Sequence, residues 1–219
     1  VYTVTITSLK GGSGKTTLAA AIAVELERLG CGPVALIDTD PQGSLGEWWS
    51  ARKADTPRFV WINATQLLAY LEFLPREGIN LVILDTPPAL EPVIRSALAV
   101  CDLAIVPVRP SPSDLRAVDA IIEVIEQAGK DFLLVLNAAT PRTNIARDTL
   151  QILAQRGKVA PVTLYNRVDF AVSMFDGRTA GEIKRTSKSA SEVTELAQYV
   201  YTQLKQQGEW TRSFNHQAE

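Results

Sequence analysis

The sequence predicts an α/β fold, a doubly wound and mostly parallel sheet with helices on both faces, and three observations carry that prediction. Short Val/Ile/Leu runs alternate along the chain with segments whose apolar residues recur at helical spacing. Two of these runs, 34–37 and 81–84, end in Asp38 and Asp85, where a buried parallel strand would turn into a loop. A third, 4–9, leads into a glycine-rich loop that opens onto a helix.

The elements follow in order. The run 4–9 belongs to a strand over 2–8, and the apolar residues of 18–26 sit at helical spacing within a helix over 15–29. A strand over 33–38 precedes a helix over 43–53, and a strand over 58–62 precedes a helix over 65–74. Then come a strand over 80–85, a helix over 90–98, a strand over 102–108 and a helix over 113–128. A strand over 131–137 closes at Asn137, followed by a helix over 144–156, a strand over 160–164 and a helix over 190–207. Strand and helix alternate as βαβ units require, with a ligand expected at the carboxyl edge of the sheet. Nothing marks a domain boundary, so 1–207 reads as a single domain and 208–219 as a polar C-terminal tail.

Composition agrees. A chain of 219 residues, 46% hydrophobic and 21% charged, can bury a sizeable core and shows neither a repeat nor a low-complexity segment. No apolar stretch approaches the roughly 20 residues of a membrane span, and no signal peptide is expected before the first strand. Cys31 and Cys101 lack metal-ligand spacing and read as reduced packing residues of a cytoplasmic protein. The lone His216 lies in the polar tail, so histidine catalysis is not expected.

The chemistry begins at residues 10 to 17, Lys10, Gly11, Gly12, Ser13, Gly14, Lys15, Thr16 and Thr17. Glycines let this backbone turn tightly and aim N–H groups at phosphate oxygens, with the positive end of a helix behind them. Lys15 should reach the β- and γ-phosphates of a nucleotide, and the Thr16 hydroxyl should bind Mg²⁺. Lys10 alone would be a solvated surface charge. Its meaning changes beside the stretch 37–44, which carries Asp38 and Asp40, and the stretch 84–88, which carries Asp85.

With these motifs in hand, the chain resembles the ParA/MinD group of deviant Walker A P-loop ATPases, and more closely its ParA side. KGGSGKTT at 10–17, IDTDPQGS at 37–44 and LDTPP at 84–88 carry the resemblance, which continues through VPVRPSPSDL at 106–115 and VLNAATPRTN at 135–144 and thins after about residue 145. It implies an ATP-sandwich homodimer in which Lys10 reaches the nucleotide held by the other subunit. It further implies that Asp40 positions the attacking water, that Asp38 supports Mg²⁺ and its loop, and that Asp85 holds Mg²⁺ through a coordinated water. Asn137 matches the family position that reads the adenine edge, and an Asn at a strand end is equally a good turn residue.

The formal charge of −2 argues against a general nucleic-acid binder. Residues 141–190 nevertheless hold nine basic against four acidic side chains, leaving the remainder at −7. The resemblance implies non-specific DNA binding through such C-terminal basic residues, and the candidates are Lys184, Arg185, Lys188, Arg167 and Lys158. Dimerisation would double the patch, so ATP would control DNA affinity. Trp48 and Trp49 cannot both face the core from one helix; one is expected to be buried, and the other either to anchor a partner chain or subunit or to stay partly exposed.

The reading is a small ParA-like ATPase using ATP and Mg²⁺. It is expected in the cytoplasm on nucleoid DNA, released by a ParB-like or other ATPase-stimulating adaptor, and acting in plasmid or chromosome partition or on another cargo. No helix-turn-helix module is expected before a loop that starts at residue 10. The alternatives are a MinD-like membrane-cycling regulator, or a small-molecule ligase on the same scaffold resembling dethiobiotin synthetase or amidotransferase-type enzymes. Iron-sulfur reductase relatives are disfavoured because Cys101 lacks a second cysteine at their spacing.

Overall fold

The computed structural model describes residues 1–88 and 91–215, and of residues 207–215 the backbone alone; the lone His216 lies outside the described residues. Six strands, β1 (Tyr2–Ile6), β2 (Val34–Asp38), β3 (Arg58–Trp61), β4 (Leu81–Asp85), β5 (Leu103–Val108) and β6 (Asp131–Leu136), form one sheet in the order β3-β2-β4-β1-β5-β6. Every pairing is parallel. The chain first winds to one side of β1 and then to the other, which places the switch point of the sheet at the carboxyl end of β1.

Strands β2, β4 and β5 are buried along their whole length because helices cover both faces. On one face Val4, Ile6, Leu36 and Ile83 meet α1 (Lys15–Arg28) and the apolar stripe Leu196, Ala197, Val200 and Leu204 of α9 (Lys188–Asn215). The alanine-rich α1 is buried from Leu18 to Leu26 between sheet and α9, so its small side chains let both neighbours come close. On the other face Val106, Val108, Leu134 and Leu136 pack under α4 (Glu91–Ala99), α5 (Pro112–Gln127) and α6 (Asn144–Ala154). Ala35, Ile37, Val82 and Leu84 pack with Leu67 of α3 (Leu67–Phe73).

The helix expected over 65–74 is divided: 3-10 turns Ala64–Gln66 and Leu74–Glu77 flank α3, the second of them carrying Pro75 in its first turn. The strand expected over 160–164 is an interrupted edge. Ala160 N–H donates to the Leu134 carbonyl at 2.8 Å and Leu164 N–H to that of Leu136 at 3.0 Å, so four residues of this segment span two of β6 and the regular ladder breaks between them. The last helix begins at Lys188 and its backbone continues through Asn215, past the expected end near 207. A single interior glycine, Gly208, costs only about 1 kcal/mol and does not terminate a helix.

Two helices were not expected, α7 (Val168–Asp176) and the single turn α8 (Ala180–Ile183). The pattern of α7 is hard to read because apolar residues occur on several sides: Phe170 turns to a cavity while Val168, Val172 and Phe175 are exposed. This segment is pinned to α2 (Ser44–Ala51). Trp48 is fully buried and its Nε1 donates to the Arg178 carbonyl at 2.9 Å, and Arg52 makes two 2.9 Å bonds to Glu182. Trp49 stacks on Phe59 with ring centroids 5.5 Å apart, so both tryptophans of the pair are engaged within the chain. Among the described residues no helix is long and apolar enough to cross a membrane.

Candidate functional site

The loop between β1 and α1 lies at the switch point. Gly14 takes φ +93°, and a Cβ there would stand 2.3 Å from Asn137 Nδ2, so only glycine fits without displacing that amide. Asn137 Nδ2 donates to the Ser13 carbonyl at 2.7 Å and Arg109 Nη1 to the Gly12 carbonyl at 3.1 Å. Two side chains from the ends of β5 and β6 thus hold the loop's carbonyls, leaving its N–H groups available on the other side.

Beneath the loop, three strand ends converge. Register sets Ile6 beside Asp85 and Asp85 beside Asp38. The hydroxyl of Thr86 donates to the Ile6 carbonyl at 3.0 Å and that of Thr39 to the Asp85 carbonyl at 2.8 Å, tying the ends together. Thr16 Oγ1 donates to Asp85 Oδ2 at 2.7 Å, and Asp38 Oδ1 accepts the Asp40 N–H at 2.8 Å. Both carboxyls are buried, and their other oxygens, Asp38 Oδ2 and Asp85 Oδ1, have no partner among the described residues.

Burial dominates the electrostatics. It pushes the Asp38 carboxyl up to about 6 and the Asp85 carboxyl up to about 7, with their mutual proximity to other carboxylates adding to the rise. Burial also lowers the Lys15 ammonium from its usual range, against the pull of Asp85 and Asp40. Lys15 Nζ donates to the Lys10 carbonyl at 3.3 Å. Two buried carboxylates with vacant lone pairs, a threonine hydroxyl and a buried ammonium suit a divalent cation carried on phosphates. No group of three His, Cys, Asp or Glu able to cage a metal occurs among the described residues, so phosphate and water oxygens would complete the shell.

The structure distributes the predicted site residues as follows. Residues 10 to 17, Asp38, Asp40 and Asp85 gather at one place. The half-buried Asp40 caps its own turn, its Oδ1 accepting the Gln42 N–H at 2.9 Å. Asn137 joins them and lines a cavity of about 160 Å³ with Gly12, Arg109, Tyr165 and Phe170. Arg109, Tyr165 and Phe170 were missed by sequence reasoning: Arg109 lies in the stretch 106–115 noted only as a resemblance, and the two aromatic rings arrive from a segment without a motif. Lys10 Nζ donates to Ser113 Oγ at 2.7 Å and pairs with the Asp114 carboxylate, a contact that no sequence pattern announced.

The five basic candidates are not one patch. Arg167 pairs with Glu192 and its guanidinium lies 5.4 Å over the Tyr165 ring, so it braces the cavity wall. Arg185 pairs with Glu25 at 3.3 Å, and Lys158 bonds to Gln203 beside the amino-terminal ends of β5 and β6, away from the nucleotide edge. Lys184 and Lys188 have no ion-pair partner among the described residues, and they flank the short link between α8 and α9. Elsewhere in the basic segment Arg156 pairs with Asp119 and Arg178 with Asp176, so much of its excess charge is neutralised internally.

Comparison with known proteins places this geometry in context. Residues 4–194 match the model of the CobQ/CobB/MinD/ParA nucleotide binding domain. The chain is 31% identical to "Maintenance of carboxysome distribution protein A" of Halothiobacillus neapolitanus, over 87% of this chain and 92% of that protein. It is 29% identical to the chromosome-partitioning ATPase Soj of Thermus thermophilus, over 94% of this chain and 98% of that one. Among solved structures, MinD of Pyrococcus horikoshii in complex with Mg-ADP superposes with a TM-score of 0.76 at 19% identity, covering 91% of this chain and 95% of that one. Apo McdA of Cyanothece superposes at 0.72 and 16% identity, covering 90% and 98%. At these identities the structural likeness speaks for the fold alone.

Proposed function

The chain belongs to the CobQ/CobB/MinD/ParA family of nucleotide-binding domains, and from that membership we propose a ParA-like positioning ATPase that dimerises around ATP, rides on DNA and is released when an adaptor stimulates hydrolysis. The observation that supports this most is the convergence of Thr16, Asp38 and Asp85 under the phosphate loop, with two buried carboxylate oxygens unsatisfied and Lys10 alongside. Relatives named for carboxysome distribution and chromosome partition support an intracellular cargo.

In this reading Lys15 and the loop N–H groups hold the phosphates, and Asn137, Arg109, Tyr165 and Phe170 receive the base. Thr16, Asp85 and Asp38 would hold Mg²⁺, whose charge offsets that developing on the β- and γ-phosphates. Asp40 orients the attacking water. Lys10 from a second copy completes the site, which makes turnover conditional on assembly, as an arginine finger does. Of the five candidates Lys184 and Lys188 are best free to meet DNA phosphates, while Arg185, Arg167 and Lys158 are engaged by Glu25, Glu192 and Gln203 and contribute less. Two copies together would neutralise enough phosphates for ATP-dependent affinity.

The test is binding to arbitrary duplex DNA with ATP, with ADP and without nucleotide, across a salt series, with Lys10→Ala as control. Salt-sensitive binding that requires both ATP and Lys10 is expected. Absence of binding in every state would refute the DNA-riding mechanism; ATP-dependent pelleting with anionic liposomes would then favour membrane cycling, and turnover only with an added small acid would favour a ligase.

A further inference from the structure

The segment 109–114, between β5 and α5, grips the phosphate loop at two points. Arg109 Nη1 holds the Gly12 carbonyl at 3.1 Å, and at the other end Ser113 and Asp114 hold the Lys10 ammonium. Ser111 is the N-cap of α5: its Oγ accepts the Asp114 N–H at 3.1 Å and also donates to the Asp114 carboxylate. Asp114 is therefore fixed in the first helical turn, where the helix N-terminus favours its charge. Its side chain is only 4% exposed against 36% for Lys10, so the carboxylate is the buried, immobile partner and the lysine the movable one. Lys10 is the only cation paired with Asp114 among the described residues.

We propose that Asp114 is a positioning residue for Lys10: the segment 109–114 latches the lysine within its own chain, and opening that latch sets how much ATP is needed before a second copy can be engaged. The inference rests on the dimer reading above. An ammonium committed to Ser113 and Asp114 cannot also serve a nucleotide in another subunit, so dimer formation must first outweigh the intramolecular pair. The loop itself supplies the release. Lys15 Nζ donates to the Lys10 carbonyl, and Ser8 Oγ accepts the Lys10 N–H at 3.2 Å. Ser8 Oγ also donates to the Lys10 carbonyl at 3.4 Å, so phosphate drawing Lys15 away removes one of the three bonds that hold the Lys10 backbone. Nucleotide in its own site thus loosens the lysine that must reach the other.

The experiment uses the full chain, a non-hydrolysable ATP analogue and light scattering for the dimer, with a fluorescent ADP to report nucleotide affinity of the monomer. Asp114→Asn keeps shape and an accepting oxygen while removing the charge. It should lower the analogue concentration for half-maximal dimerisation about fivefold, the weight of one partly exposed ion pair, and leave ADP affinity unchanged. Acetylation of Lys10 in the nucleotide-free protein, read by mass spectrometry, should rise by a similar factor. Ser113→Ala should shift both in the same direction by less. Adding Asp114→Asn to Lys10→Ala should change nothing further. An unshifted threshold and unshifted Lys10 reactivity in a wild-type protein that dimerises through Lys10 would overturn the latch alone. A wild-type protein that forms no dimer at any analogue concentration would overturn the dimer reading and the latch with it.

Discussion

Replacing Asp85 by Asn should stabilise the nucleotide-free protein above neutral pH and, under the proposed ATPase function, abolish turnover. Asp85 is 1% exposed, lies between Ile6 and Asp38 in the sheet and has one oxygen without a partner. Burial pushes its carboxyl from 3.8 to about 7. A raised carboxyl means that between about pH 4 and 7 the folded state retains a proton that the unfolded chain has lost, so stability falls as pH rises through that window. Roughly three units at about 1.4 kcal/mol each set an upper bound of about 4 kcal/mol on the penalty at about pH 8. Asp38, itself pushed up to about 6, shares part of it as a coupled neighbour. Urea unfolding of both proteins, followed by circular dichroism in EDTA, should show a stability difference that grows from about pH 4 to about pH 8. The growth is the diagnostic, because the fit of the Asn amide adds only a constant. A difference that stays flat across the range would refute the claim that an uncompensated buried charge resides there.

Three further outcomes are expected. Lys15→Ala should weaken fluorescent-ADP binding on the order of a hundredfold, the value of a charge-assisted contact to phosphate, and retained affinity would remove Lys15 from the phosphate site. Gly14→Ala should destabilise the fold by about 1–2 kcal/mol through its positive φ and displace Asn137 from the Ser13 carbonyl, so calorimetry should show weakened nucleotide binding. Trp48→Phe should lose about 1–3 kcal/mol in urea unfolding, since the Arg178 carbonyl then lacks its donor; an unchanged midpoint would show that water or another donor replaces the indole.

Much of the site was legible because its chemistry is local. The loop 10–17 combines turn, cation and helix start in one stretch, and Asp38 and Asp85 follow apolar runs whose burial on both faces is written in their Val/Ile/Leu content. The edge at 160–164 was less legible, because the run is apolar enough for a strand while its two bonds to β6, from Ala160 and Leu164, are out of regular register, a slip that no residue pattern announces. The basic segment was legible as an excess of charge but not as a surface. Arg167 and Arg185 meet Glu192 and Glu25, acids from helices distant in sequence, and ion pairs of that kind leave no spacing to read.

The sequence by itself determined the alternation of strands and helices, the parallel sheet and the candidates at its carboxyl edge, residues 10–17, Asp38, Asp40 and Asp85, since periodicity and short motifs act over a few residues. Tertiary structure alone decided which partners those residues have. It brought Asn137 and Arg109 onto the loop, set Tyr165 and Phe170 around the cavity and placed Asp114 against Lys10. The contacts of Arg109, Asp114 and Asn137 with the loop join segments that follow β5, β6 and β1, and their adjacency follows from the strand order β3-β2-β4-β1-β5-β6, a property of the packed sheet that no local pattern encodes.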